Sequence, residues 1–160
     1  MRKGIWIAVV AVATGAAALA WAQDRPAPSQ DAAWHNRQML AIAGLKAADG
    51  WRPLPGNLRW RRIKGDGSGR HPTVADTVRI HYAGTLTDGT EFDSSWTRGE
   101  PAVFPLGALI EGWQIAVPMA GIGDTIEIAI PADKAYGPVG KGDIPGGATL
   151  FFKVELLGIE

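Results

Sequence analysis

The sequence predicts an α+β domain, an antiparallel sheet with one short helix laid across it and a second short helix ahead of it. Three observations carry that expectation. Apolar and polar residues alternate over residues 77–82, 126–130 and 150–156, the period of a half-buried strand. Most strand segments follow one another through turns without the long intervening helices that parallel pairing needs, so they should pair antiparallel. At 160 residues, 46% of them hydrophobic, the chain can fill one buried core.

Composition removes several classes of function. The formal net charge is zero and no block of Lys and Arg stands apart, so the electrostatic footprint of a nucleic-acid binder is missing. With no cysteine, disulfides, thiolate catalysis, zinc-thiolate sites and lipid attachment through an N-terminal cysteine are excluded. His35, His71 and His81 are scattered without ligand spacing, and neither a metal nor a cofactor is expected.

Met1-Arg2-Lys3, an apolar run over 5–20 and the small-x-small site Ala20-Trp21-Ala22 read as a signal peptide, residues 1–22. That places the protein in the periplasm or outside the cell. The alternative is an N-terminal membrane anchor, because the run approaches the roughly 17 residues of a spanning helix. Residues 23–30, with Pro26 and Pro28 among small and polar neighbours, form a linker.

Residues 31–50 form an N-terminal helical segment. Asp31 can cap a helix reaching about Ala48, with Trp34, Met39, Ile42 and Leu45 as its apolar stripe and Gly50 beyond its end. The stripe is too short to support a coiled coil; packing on the main domain is expected, with pairing to another copy or a simple tether as the alternatives, and a monomer is expected.

The main domain occupies 51–160. Leu58 and Trp60 begin a strand interrupted near Arg61-Arg62, followed by the turn cluster 65–69. Val78, Ile80 and Tyr82 share one face of the next strand, opposite Thr77, Arg79 and His81. Asp88-Gly89 can supply the two positive φ angles of a tight hairpin leading into Thr90 and Phe92. Helical spacing returns over 109–117, where Ile110, Trp113 and Val117 share a face and Pro118 closes the segment. Gly112 weakens that helix by up to about 1 kcal/mol, which suggests a close approach to the sheet. Two further strands bury Ile126, Ile128 and Ile130, then Leu150, Phe152, Val154 and Leu156.

Five motifs in order resemble the FKBP-type peptidyl-prolyl isomerases. They are Val78-x-Ile80-His81-Tyr82-x-Gly84; Asp88-Gly89-x-x-Phe92-Asp93-Ser94-Ser95; Ile110-x-Gly112-Trp113; Ile130-Pro131-x-x-x-Ala135-Tyr136-Gly137; and Ile144-Pro145-x-x-Ala148-Thr149-Leu150-x-Phe152-x-Val154-Glu155-Leu156. With Phe104-Pro105-Leu106 and Gln114-x-Ala116, the resemblance points to the secreted bacterial macrophage-infectivity-potentiator (Mip) and FklB-like branch. The resemblance implies a strongly curved antiparallel sheet of five or six strands wrapped around one short helix. It also implies an isomerase of X-Pro bonds acting on proline-containing unfolded or extended polypeptides, with tacrolimus-type macrolides as further ligands.

By the same resemblance, Trp113 is the floor on which a proline ring lies, and Tyr82, Phe92, Phe104, Leu109, Ile110, Ile144 and Phe152 wall the pocket. Tyr136 would donate its hydroxyl to one substrate carbonyl and the Ile110 N–H would hold the neighbouring one. Asp93 would be oriented by Tyr82 and Arg98; from residue type alone it can equally cap the Ser94-Ser95 turn. Asp93, Tyr136, Ile110 and Trp113 are thus the catalytic candidates. Three features depart from the small members: a shorter chain between Leu106 and Ile110, Ala102 in place of a frequent aromatic, and, in the loop from Pro138 to Asp143, Lys141 near a frequent His. A binding module or periplasmic chaperone using the same groove remains the second reading.

Overall fold

In a computed structural model that describes residues 31–160, the alternating segments become strands. Each buries the face its apolar residues mark. The signal peptide and linker expected over 1–30 lie outside the described residues. In chain order the structure runs α1 (Ala32–Ala43), β1 (Arg52–Leu54), β2 (Leu58–Lys64), β3 (Thr77–Thr85), β4 (Glu91–Ser94), α2 (Ser95–Arg98) and β5 (Ala102–Pro105). It continues through α3 (Glu111–Ala116), β6 (Thr125–Ile130), β7 (Gly140–Lys141), β8 (Ile144–Pro145) and β9 (Leu150–Ile159), with short 3₁₀ turns between.

The main sheet is antiparallel throughout, in the order β1-β2-β6-β9-β3, with β4 and β5 sharing the free edge of β3. Its seven strands exceed the expected five or six for two local reasons. Gly56 and Asn57, at φ 74 and 59, turn a three-residue β1 back onto β2. On the far edge, α2 divides what would otherwise be one strand into β4, paired with Ala83–Thr85, and β5, paired with Thr77–Ile80. β9 occupies the middle, bonded to β6 on one side and β3 on the other.

One face of this sheet carries the core. Val78, Ile80, Ile126, Ile128, Val154 and Leu156 are fully buried there, together with Ile110, Trp113 and Val117 of the helix segment. The helix is shorter than the expected 109–117. Leu109 is extended (φ −87, ψ 172), and beyond Ala116 the chain tightens into a 3₁₀ turn over Val117–Met119 that contains Pro118. A Cβ on Gly112 would fall 2.4 Å from Ile130 Cγ2, so glycine is what lets α3 touch β6.

β2 runs on through Arg61 and Arg62, and its irregularity against β6 falls just beyond them, between Arg62 and Lys64. Each guanidinium has a carboxylate and an indole: Arg61 Nε donates to Glu127 at 2.6 Å and lies 4.7 Å over Trp51, while Arg62 Nε donates to Asp124 at 2.9 Å and lies 5.6 Å over Trp60. The β3–β4 hairpin also differs from expectation. Only Gly89 has positive φ (86), Gly89 N–H donates to Leu86 O, Leu86 N–H donates to Thr90 O, and the register slips by one at Gly84/Thr85. That is a three-residue loop with a glycine bulge, in which the Asp88 carboxylate takes the Thr90 N–H at 2.9 Å instead of Asp88 adopting a left-handed backbone.

The N-terminal segment packs on the domain, but with a different face and a nearer end. Asp31 Oδ1 accepts the Trp34 N–H at 2.8 Å and caps α1. The helix stops at Ala43, and Gly44 closes it with an N–H bond to Leu40 O, 2.9 Å. Gln38 and Ile42 are its buried residues, whereas Met39 and Leu40 are 65% and 66% exposed. Ile42 joins Trp51 and Ala129, with Leu45 and Phe151 alongside, in a small second cluster on the outer face of the sheet.

Candidate functional site

The candidate site lies where the C-terminal half of β3, the β4–α2 edge, the start of α3 and the loop 131–149 meet. The aromatic candidates interlock edge to face. The Trp113 indole stands at 85° to Tyr82 with 5.4 Å between ring centroids, and at 88° to Phe152 with 5.2 Å. Phe92 meets Phe152 at 87° and 5.7 Å, and Phe104 lies 6.0 Å from Tyr82. Such edge-to-face pairs add about 0.5–1.5 kcal/mol each beyond the area they bury, so the cluster is stiff. Gly84 makes it possible: a Cβ there would lie 2.5 Å from Phe92 Cζ and 2.7 Å from Phe152 Cε1.

Trp113, Leu109, Ile110 and Tyr82 retain at most 1% exposure, and Ile144 retains 3%, so this surface is closed to water. Phe92, Phe104 and Tyr136 pack against the same cluster from partly exposed positions. The structure therefore brings every sequence-derived site residue into one neighbourhood.

The polar groups separate into two sets. In the first, Asp93 on β4 accepts from the Tyr82 hydroxyl and from Arg98 Nη1, and Arg98 Nη2 donates to Tyr82 Oη at 3.1 Å. The carboxylate is 7% exposed and the guanidinium 29%, so the charge is buried with its partner. Ser94, not Asp93, caps α2, its Oγ taking the Thr97 N–H at 3.2 Å. Burial and the bond to Asp93 hold the Tyr82 phenol well above its usual range. Tyr82 therefore keeps its proton at any ordinary pH.

The second set consists of two donors. Tyr136 Oη and Trp113 Nε1 are both buried, and neither has a hydrogen-bond partner among the described residues. Burial, with the Asp93 charge adding to it, pushes the Tyr136 phenol up to about 12. A buried polar group left unbonded costs about 1–3 kcal/mol, a cost that an entering acceptor would relieve. Each group has a hydrogen to give to an acceptor. Peptide carbonyls are such acceptors.

Tyr136 is delivered by a loop that leaves β6 through a 3₁₀ turn over Ala132–Lys134, which Lys134 Nζ fastens to Glu111 at the start of α3, 2.6 Å. Beyond Tyr136 the two-residue strands β7 and β8 pair with each other, and Lys141 Nζ lies 5.6 Å from the Tyr136 ring centroid.

Sequence reading missed two contributors. Ser95, wholly buried, accepts the Tyr82 N–H at 2.7 Å and fixes the strand beneath the Tyr82 ring. Gln38 of α1 reaches both Thr149, at the end of the loop that carries Tyr136, and Thr87, in the β3–β4 hairpin loop. A serine after Asp93-Ser94 reads as a turn residue, and a glutamine among exposed helix positions reads as surface. Ser95 is marked in the sequence only as a motif position, without its role, and Gln38 carries no sequence signal. Among the described residues, no group of three or more His, Cys, Asp or Glu side chains could hold a metal ion.

Comparison with known proteins agrees with this geometry. A family model described as FKBP-type peptidyl-prolyl cis-trans isomerase matches residues 68–157. "FKBP-type peptidyl-prolyl cis-trans isomerase FkpA" of Aeromonas hydrophila is 51% identical over 119 residues, which cover 74% of this chain and 44% of the relative. "Outer membrane protein MIP" of Legionella longbeachae is 42% identical over 121 residues, 74% of this chain and 51% of the relative. The chain thus spans about half the length of these two relatives. A crystal structure of a peptidyl-prolyl cis-trans isomerase from Pseudomonas syringae pv. tomato superposes with a TM-score of 0.74 at 31% identity, over 85% of this chain and 98% of that one. The chain belongs to the FKBP-type peptidyl-prolyl cis-trans isomerase family, in the branch of the Mip and FkpA proteins.

Proposed function

We propose that this protein accelerates cis–trans rotation about X-Pro bonds in unfolded or extended polypeptides. The observation that carries the reading is the pair of buried, unpartnered donors, Tyr136 Oη and Trp113 Nε1, within an otherwise apolar aromatic cluster. An X-Pro amide resists rotation by roughly 18–20 kcal/mol because resonance holds it planar. No covalent bond has to break. A catalyst needs only to favour the twisted amide, which has lost its resonance and its charge separation, in a dry pocket with a few aimed hydrogen bonds. Lowering the barrier by about 4–7 kcal/mol would accelerate rotation about 10³- to 10⁵-fold.

In this reading the proline ring enters against Trp113 between Tyr82, Phe92, Ile144 and Phe152, and Phe104 and Leu109 close the sides. Tyr136 donates to one substrate carbonyl, and the Ile110 N–H at the helix start holds the next. Asp93, fixed by Tyr82 and Arg98, presents a carboxylate edge to the rotating carbonyl carbon. All the donors stay protonated without a titrating partner, as a reaction without proton transfer requires.

The N-terminal run over 5–20 and the site at Ala20-Trp21-Ala22 support export, with folding of exported chains as the setting and a periplasmic monomer as the form. Tacrolimus-type macrolides would occupy the same pocket. The test is a protease-free isomerisation assay on an Ala-Leu-Pro-Phe peptide. Turnover above background, lost on tacrolimus addition, supports the reading; a rate equal to background overturns it. Recovery of the protein in the membrane with residues 1–22 intact would overturn the soluble periplasmic form.

A further inference from the structure

The buried residue of α1 that sequence patterning passes over is polar. Gln38 is 6% exposed on a helix whose neighbours Met39 and Leu40 are largely in water, and a buried amide is stable only when both of its ends are bonded. Here both are. Oε1 accepts the Thr149 backbone N–H at 3.0 Å, and Nε2 donates to Thr87 Oγ1 at 3.1 Å. The Gln38 backbone carbonyl also takes the Thr149 hydroxyl at 3.0 Å. Because a backbone N–H can only donate, the amide can face Thr149 in one orientation only.

The two partners belong to different segments of the site, brought side by side where the β3–β9 ladder, last paired at Thr85 and Phe151, would continue. Thr149 ends the loop that carries Tyr136 and Ile144, and Thr87 lies at the tip of the hairpin whose second strand carries Phe92 and Asp93. Contacts extend the first connection to the phenol. Gly147, against which Trp34 and His35 of α1 pack, donates its N–H to Gly137 O at 2.8 Å, beside Tyr136, and Gly140 N–H donates to Tyr136 O at 3.2 Å. With no hydrogen-bond partner among the described residues, the Tyr136 hydroxyl depends on this loop for its position.

We propose that Gln38, which lies outside residues 68–157 matched by the family model, is a positioning residue that ties the end of the Tyr136 loop to the β3–β4 hairpin and so fixes the placement of Tyr136. The proposal rests on the isomerase reading for its kinetic consequence and on the hydrogen bonds alone for its structural one. Misplacing a catalytic group by about 1 Å can cost about 10²-fold, and loosening one end of a loop that stays attached at the other costs less.

The experiment uses the full chain. Q38A is expected to lower kcat/KM about tenfold, mainly through kcat. T87V, which removes only the hairpin end, is expected to lower it by about threefold. M39A, on the exposed side of the same helix, leaves it unchanged. In a double-mutant cycle, Q38A placed on Y136F changes the rate by less than about twofold, because the group it positions is gone. The same tenfold loss in both backgrounds, or no loss in either, overturns the proposal.

Amide hydrogen exchange supplies a readout that needs no turnover. The Thr149 and Gly147 amides should exchange at least about tenfold faster in Q38A while those of β3 keep their protection. Unchanged exchange overturns the bridge whatever the kinetics. If the wild type shows no isomerisation but the exchange result holds, the bridge stands and the isomerase reading falls.

Discussion

The floor and the loop wall of the pocket are held by different physics. The floor, made by α3 with β3 and β9, is a set of rings locked edge to face, with Trp113 wholly buried and Gly112 and Gly84 removing the side chains that would keep the layers apart. The wall over 131–149 has only two-residue strands of its own, and its backbone folds so tightly that a Cβ on Gly146 would lie 1.9 Å from Pro138 O. Its tip is open to water, Val139 being 89% exposed. What differs is where a substitution should register: in stability for the floor, in rate for the wall.

Trp113→Ala tests that division most severely. Emptying a fully buried indole site should cost about 3–5 kcal/mol in a urea melt, with activity lost alongside; a cost under about 1 kcal/mol would show that the floor is not part of the core. Gly112→Ala should come next, at about 1–2 kcal/mol. The overlap with Ile130 outweighs the gain of up to about 1 kcal/mol in helix propensity, and a stabilised variant would mean that α3 can lift off β6 freely.

Tyr136→Phe should behave in the opposite way. It removes a hydroxyl that no described residue bonds, so Tm should hold or rise while kcat/KM falls about tenfold. Since the phenol is pushed up to about 12, the wild-type rate should be flat from about pH 6 to pH 9, and the deficit of the variant constant across it. A wild-type profile that bends in that range would place a titrating group in the reaction.

The smallest effect concerns neither region but the turn beside them. His71 sets Nε2 2.9 Å from Gly67 O and Nδ1 2.8 Å from Pro118 O. Two carbonyls can both be satisfied only by the imidazolium, and they raise the pKa above 6.5. Because the folded value is the higher one, the stability this clamp adds is complete below about pH 6.5 and is lost as pH rises through the folded value. Melts of His71→Gln against pH should lack that slope; an identical slope in both proteins would assign it to another group.

The same division explains how much was legible in the sequence. The floor could be read because its logic is local: alternation put Val78, Ile80 and Tyr82 on one face, and three-four spacing put Ile110, Trp113 and Val117 on another. The ordered motifs supplied Asp93, Arg98 and Tyr136, which no periodicity marks. What escaped depends on partners far away in the chain. Arg61 and Arg62 looked like a strand break because Glu127 and Asp124, about 60 residues on, are what make two adjacent guanidiniums tolerable in β2. Gln38 looked exposed for the same reason, since its partner is 111 positions away. The hairpin was placed correctly but given the wrong turn, because Asp88 bonds the backbone through its side chain and so avoids the positive φ assigned to it.

β9 gives this architecture an order in time. It lies between β6 and β3, carries Phe152 to the floor, and is preceded in the chain by every other strand. A chain emerging from its N-terminus can form the β1–β2 and β3–β4 hairpins early, but β3 and β6 stay unjoined until residues 150–159 arrive to zip both at once. Much of the sheet's pairing is therefore long-range and late, which favours slow, all-or-none closure. Until that last insertion there is no pocket at all: the protein should acquire its site in a single step, and shortening β9 by a few residues should abolish fold and site together.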